Sequence, residues 1–174
     1  VKSVEENYDS ATSYINQAEV GCIDQILTRL WQKGVTASDI GIITPYTGQQ
    51  SFIIDHLPSI SAISDPEFFP NLEVSSVDAF QGREKNFIIL SNVRANSANE
   101  IGFLKDTRRL NVSLTRAKFG IFILGNATTF SKNQCWSKLI ELYKSVNAFV
   151  EGDDIDHLKP SSFTPLIEDP GDDE

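Results

Sequence analysis

The chain has 174 residues, 40% of them hydrophobic, with a net charge of −9; that length fits one domain with a sizeable core. No run of 18 apolar residues occurs, which excludes a membrane-spanning helix, and Val1-Lys2-Ser3-Val4-Glu5-Glu6 is not a signal peptide. Methionine is absent even at position 1, as expected of an excised fragment, and Cys22 and Cys135 show neither metal nor disulfide spacing, as expected of two reduced thiols in an intracellular protein.

The first 14 residues are polar. Ile23, Ile26, Leu27 and Leu30 then follow the i, i+3, i+4, i+7 rule of a helix. Asn16 is its N-cap, with Glu19 three residues on as a loose capping box, and Gly34 its C-cap. Ile40-Gly41-Ile42-Ile43 reads as a buried strand that Thr44-Pro45-Tyr46 stops. A second helix is expected from Gln49 to Leu57, closed by Pro58, followed by a loop over 58–71. Val74–Val77, Phe87–Leu90 and Gly120–Leu124 are further strands. Between the last two lie a turn-rich stretch, 94–106, and a basic helix, about 107–118. A final helix runs from Trp136 to Val146, with Trp136, Leu139, Ile140 and Tyr143 on one face. Residues 1–152 form the domain, and the acidic stretch 153–174 is expected to be a flexible tail.

Short apolar strands alternating with helices imply a mostly parallel sheet covered on both faces. In such sheets ligands lie at the carboxyl ends of the strands. The places to look are therefore just after Ile43, Val77, Leu90 and Leu124.

Charge is unevenly spread. Residues 1–78 carry a net −8, residues 79–150 a net +7 and residues 151–174 a net −8. A polyanionic partner would meet the basic middle; the alternative is a mixed, solvated surface.

Three segments carry chemistry. Thr44-Pro45-Tyr46 offers a hydroxyl, a fixed turn and a ring at a strand end, where a sugar-phosphate backbone could be gripped; alternatively Thr44 caps the next helix. Asp78-Ala79-Phe80-Gln81-Gly82-Arg83-Glu84-Lys85 combines a glycine for close approach with carboxylates for a ribose and cations for phosphates; alternatively it is a polar turn with a local Arg–Glu pair. In the basic helix Arg109 and Arg116 are seven apart, hence near one side, and a guanidinium there could stabilise charge in phosphoryl transfer; alternatively these arginines are simply solvated. No Gly-x-x-x-x-Gly-Lys-Ser/Thr loop occurs, nor a strand ending in an Asp-Glu pair. The chain alone therefore lacks the parts to hydrolyse ATP.

Taken together, Gly41–Tyr46, Ser76–Lys85 and Arg108–Ala117 resemble the second motor domain of superfamily 1 helicases, in the up-frameshift group that serves nonsense-mediated mRNA decay. The likeness continues through Phe87–Ser91, Val93–Asn96, Ile101–Leu104, Leu124–Asn126, Trp136 and Val150–Gly152. It implies a RecA-like, three-layer α/β/α domain of the P-loop NTPase type without its own phosphate loop. It implies that ATP sits between this domain and an upstream RecA-like domain, which supplies the phosphate loop and holds Mg2+; no metal site is expected here. Arg116 would be the arginine finger. Gly82 and Glu84 would contact nucleotide, Glu84 at the ribose. Thr44, Pro45, Val77 and Asp78 would lie along single-stranded RNA or DNA, and Gln81 would link the two sites. Decay-factor proteins are the other partners implied, in a cytoplasmic protein that can shuttle to the nucleus. Ser113 stands where alanine is common and Lys118 where arginine is common. The adenine-stacking segment of the family would precede residue 1, so the isolated chain is expected to be inactive. The competing reading is a non-catalytic helicase-like module that docks nucleic acid or protein. A nuclease using Asp78 and Glu84 lacks the acidic pair and spaced lysine it would need.

Overall fold

The structure, a computed structural model, describes residues 4–8, 13–152 and 159–160. Four parallel strands form the central sheet: β3 (Ile40–Ile43), β4 (Glu73–Ser75), β5 (Lys85–Ser91) and β6 (Ala117–Leu124), in the order β4-β3-β5-β6. Ahead of it, β1 (Glu6–Asn7) and β2 (Tyr14–Ile15) form a short antiparallel ribbon. Strand side chains alternate faces. Val74, Ile42, Ile89 and Phe122 lie in one cross-strand row and pack under α1 (Gln17–Gln32) and α2 (Thr47–Ile60). Ile43, Leu90 and Ile123 form the next row and pack under α4 (Thr107–Leu114) and α6 (Gln134–Ser145). Residues 68–71 and 127–130 form the one-turn helices α3 and α5. The result is the three-layer α/β/α architecture expected of a RecA-like domain. No described helix is long and apolar enough to cross a membrane, and both cysteines are free thiols, Cys135 on the surface.

The first helix forms as its sequence dictates. The Asn16 side chain accepts from the Glu19 N–H at 3.2 Å. At the other end Gly34 adopts φ +83°, so that its N–H reaches the Trp31 carbonyl and that of Val35 reaches Leu30. The capping box is half right. The Asn16 N–H is taken by Gln49 Oε1 at 2.8 Å, and the Glu19 carboxylate turns into the core.

Several boundaries differ from expectation. Pro58 lies inside α2, which continues to Ile60. The missing N–H forfeits only the bond to the Ile54 carbonyl, one turn from the helix end and on its exposed side. The 58–71 loop contains α3, which tolerates Pro70 because first-turn N–H groups have no partner to lose. The strand expected at 74–77 is Glu73–Ser75, with Val77 buried in the turn beyond it. The basic helix stops at Leu114, because Ala117 pairs with Lys85 and the β-branched and aromatic run behind it joins the sheet. Arg109 and Arg116 are therefore not two turns apart on one helix. Thr44 does not cap α2 either. The N-cap position is Tyr46, and Ser13 Oγ accepts from the Gly48 N–H at 2.7 Å. Of the acidic stretch 153–174, only Lys159–Pro160 is described, as β8 paired antiparallel with β7 (Val150–Glu151); the rest of the expected tail lies outside the described residues.

Candidate functional site

After β4 the chain runs down the α4/α6 side of the sheet as successive turns and enters β5 at its amino end. Phe80, fully buried, pins this segment to the core. Gly41 in β3 makes room for it: a Cβ there would come within 2.5 Å of the Phe80 ring. Gly82 sits at φ +79° with open space around it, the backbone freedom that close approach to a ligand requires.

Gly82, Glu84 and Arg116 come together at the amino ends of β5 and β6. The Lys85 N–H bonds the Arg116 carbonyl at 3.0 Å. Arg83 pairs with Glu73 at 2.6 Å and lies 5.4 Å from the Phe80 ring centre. Glu84 and Lys118 face each other loosely at 3.9 Å, both half-exposed. The Arg116 guanidinium is held on several sides. Its Nε donates to Val112 O at 3.0 Å, one terminal nitrogen to Arg83 O at 3.3 Å and the other to Thr115 Oγ1 at 2.9 Å. A guanidinium has five N–H donors, so after these three bonds two remain for an anion.

The other candidates gather at the opposite end. Asp78 and Arg109 form a two-pronged pair, 3.3 and 3.0 Å, just beyond the carboxyl ends of β3 and β4. Thr44 is 1% exposed, and its N–H bonds Ser75 O, tying those two strand ends together. Pro45 is half-buried and Val77 buried, while Asp78 and Gln81 reach solvent. Gln81 lies in the turns that descend from one end to the other. The strand-end rule thus locates Thr44 and Asp78, whereas the Arg116 group lies at the other end of the same strands. Among the described residues no three His, Cys, Asp or Glu side chains converge as a metal site would require.

Sequence reasoning missed a buried polar cluster behind the carboxyl end. Both carboxylate oxygens of Glu19 accept from the Val93 N–H at 3.1 Å, and one accepts from Ser91 Oγ at 2.6 Å. Asn16 Nδ2 donates to Val93 O at 2.9 Å. Val93 has φ +69°, a conformation that β-branched residues avoid. Burial pushes the Glu19 carboxyl up to about 7, against the pull of Ser91 and Val93 towards the ionised form. Next along the chain, a single oxygen of Glu5 accepts from Arg94 Nε (2.9 Å), Ala95 N (2.8 Å) and Asn96 Nδ2 (3.0 Å). The Arg94 guanidinium lies 4.5 Å from the Tyr14 ring centre. Tyr46 is buried beside Arg94, where burial pushes its phenol up against the pull of the guanidinium. The available signal was Glu19 itself, an acid within an otherwise apolar helix face.

Comparison with known proteins identifies the family. A family model described as an AAA domain matches residues 1–128. The regulator of nonsense transcripts 1 of Dictyostelium discoideum is 49% identical over 148 residues, 85% of this chain and 11% of that protein. A regulator of nonsense transcripts 1 homolog of Neurospora crassa is 46% identical over 157 residues, 90% of this chain and 14% of that protein. The ATP-dependent helicase NAM7 of Saccharomyces cerevisiae is 45% identical over 148 residues, 85% of this chain and 15% of that protein. The chain thus spans only about a seventh of the length of these curated relatives. Because the family match runs unbroken from the first strands through the Arg116 turn and β6, the chain belongs to the AAA-domain family and is homologous to the regulators of nonsense transcripts.

Proposed function

We propose that this chain is the second motor domain of an ATP-dependent RNA helicase of nonsense-mediated mRNA decay. The observation that carries the proposal is the Arg116 guanidinium, fixed by three hydrogen bonds beside Gly82 and Glu84 with two donors free. A donor set held ready in this way stabilises charge that develops on a transferring phosphoryl group without reorganising first. Arg116 acts on the γ-phosphate of ATP bound by an upstream RecA-like domain, and Glu84 meets the ribose. Among the described residues no group of acids converges to hold Mg2+, and Asp78 is engaged by Arg109. In this reading the upstream domain holds the ion. Single-stranded RNA crosses the opposite end, past Pro45, Asp78 and Gln81, held by backbone contacts that tolerate any sequence. Decay-factor proteins are its further partners, and its place is the cytoplasm.

The test is the RNA-stimulated ATPase of the full-length protein, wild type beside Arg116→Ala. The expected loss in kcat is about 10³- to 10⁵-fold, with nucleotide binding retained. Unchanged turnover would favour a docking module instead.

A further inference from the structure

The turn between β5 and α4 presents an aromatic ring outward from a rigid mount. Ile101 is buried. The Leu104 N–H bonds Ile101 O at 3.0 Å, and the Leu104 carbonyl accepts from the Trp136 indole at 2.9 Å. Gly102, at φ +53°, lets the turn close onto Arg94 and Tyr46; a Cβ would stand 3.0 Å from each of those side chains. Phe103 is thereby turned out. It is 58% exposed, with its ring centre 6.1 Å from that of Tyr46, which in turn meets Tyr14 edge-on at 5.7 Å. An exposed phenylalanine is ordinarily unremarkable, but this one is backed by the buried Tyr46, with the half-buried Tyr14 behind it. Lys105 and Arg108 flank it, both exposed and without an ion pair among the described residues. The nearby acid, Asp106, is occupied as the cap of α4.

From this arrangement we infer that Phe103 is a stacking platform for a base of single-stranded nucleic acid, with Lys105 and Arg108 meeting the adjoining phosphates. An aromatic face flanked by unpaired cations is the combination that holds a single strand regardless of sequence. A protein partner is the rival occupant. The flanking positive charge favours a polyanion over an apolar peptide. The inference rests on reading the carboxyl end of the sheet as the nucleic-acid track.

The experiment uses the full-length protein and a fluorescently labelled oligouridine of about 12 nucleotides. Binding is followed by anisotropy across a salt series. Phe103→Ala and Phe103→Leu should each weaken binding about tenfold without changing the salt slope, while Phe103→Tyr should retain affinity. On an oligonucleotide of the same length carrying abasic sites, wild type and Phe103→Ala should bind equally. The double variant Lys105→Ala/Arg108→Ala should lower the salt slope by about 0.7 per lost phosphate contact. If that double variant flattens the slope while Phe103→Ala binds as wild type, stacking is overturned and the track survives. If neither variant alters binding, both the platform and the track at this end are wrong. A Phe103→Ala penalty that persists undiminished on abasic strands also overturns stacking.

Discussion

The Glu19 carboxylate grips the backbone N–H of Val93 with both oxygens, 74 residues away in sequence, and Val93 is strained at φ +69°. The acid is fully buried, and among the described residues its hydrogen-bond partners, Ser91 and Val93, are uncharged. Its carboxyl is lifted from 4.5 to about 7, chiefly by burial. Between those values the fold keeps a proton that the unfolded chain has released. The stability this group contributes is thus fully present below pH 4.5 and lost as the pH rises through about 7. The slope is at most about 1.4 kcal/mol per pH unit. Glu19→Gln should remove it, which urea titrations of both proteins at several pH values would reveal. Equal slopes would mean that Glu19 is not the titrating group.

Lysine should not replace Arg116. A lysine is a point charge without the fork that reaches Val112, Arg83 and Thr115 together. Arg116→Lys is expected to lose about 10³-fold in kcat, close to the alanine variant. Single-turnover ATP hydrolysis in the full-length protein decides this, and near-wild-type rates for lysine would show that charge alone suffices.

The Asp78–Arg109 pair lies on the surface, its side chains 67% and 41% exposed. Such pairs stabilise by roughly 0–1 kcal/mol. Asp78→Ala should leave the thermal midpoint nearly unchanged while raising the RNA concentration needed for half-maximal ATPase. A large drop in midpoint with normal RNA response would make the pair a structural brace.

Gly41→Ala should destabilise the domain by about 1–3 kcal/mol, since the new Cβ meets the buried Phe80 ring in the middle of the sheet. Gly82→Ala meets nothing and carries only the backbone strain of its positive φ, roughly 1–2 kcal/mol. Denaturant midpoints rank the two. The reverse order would mean that Phe80 shifts aside freely.

The architecture was legible where the sequence is locally consistent. Asn16, the apolar stripe of α1 and Gly34 fixed one helix, and the short apolar runs fixed the strands of the sheet. Boundaries went astray where a distant partner decides, as when Lys85 draws Ala117 out of a helical pattern. The motif segments were legible as a family resemblance. Their division between two ends was not, because spacing along 78–84 carries no direction. Glu19 with Val93, and Phe103 on Tyr46, are contacts across the fold that no local pattern reports.

β5 touches both ends, from Lys85 beside the Arg116 turn to Ser91 beneath the Val93 loop. Its seven residues make a strut roughly 20 Å long, flanked by strands on both sides. A strut does not compress, so movement at one end is carried to the other as leverage. A tilt of about 10° at the arginine end would sweep the far end by roughly 3.5 Å over that length. The domain would need no relay of side chains to carry a displacement from its Arg116 end to its Val93 end.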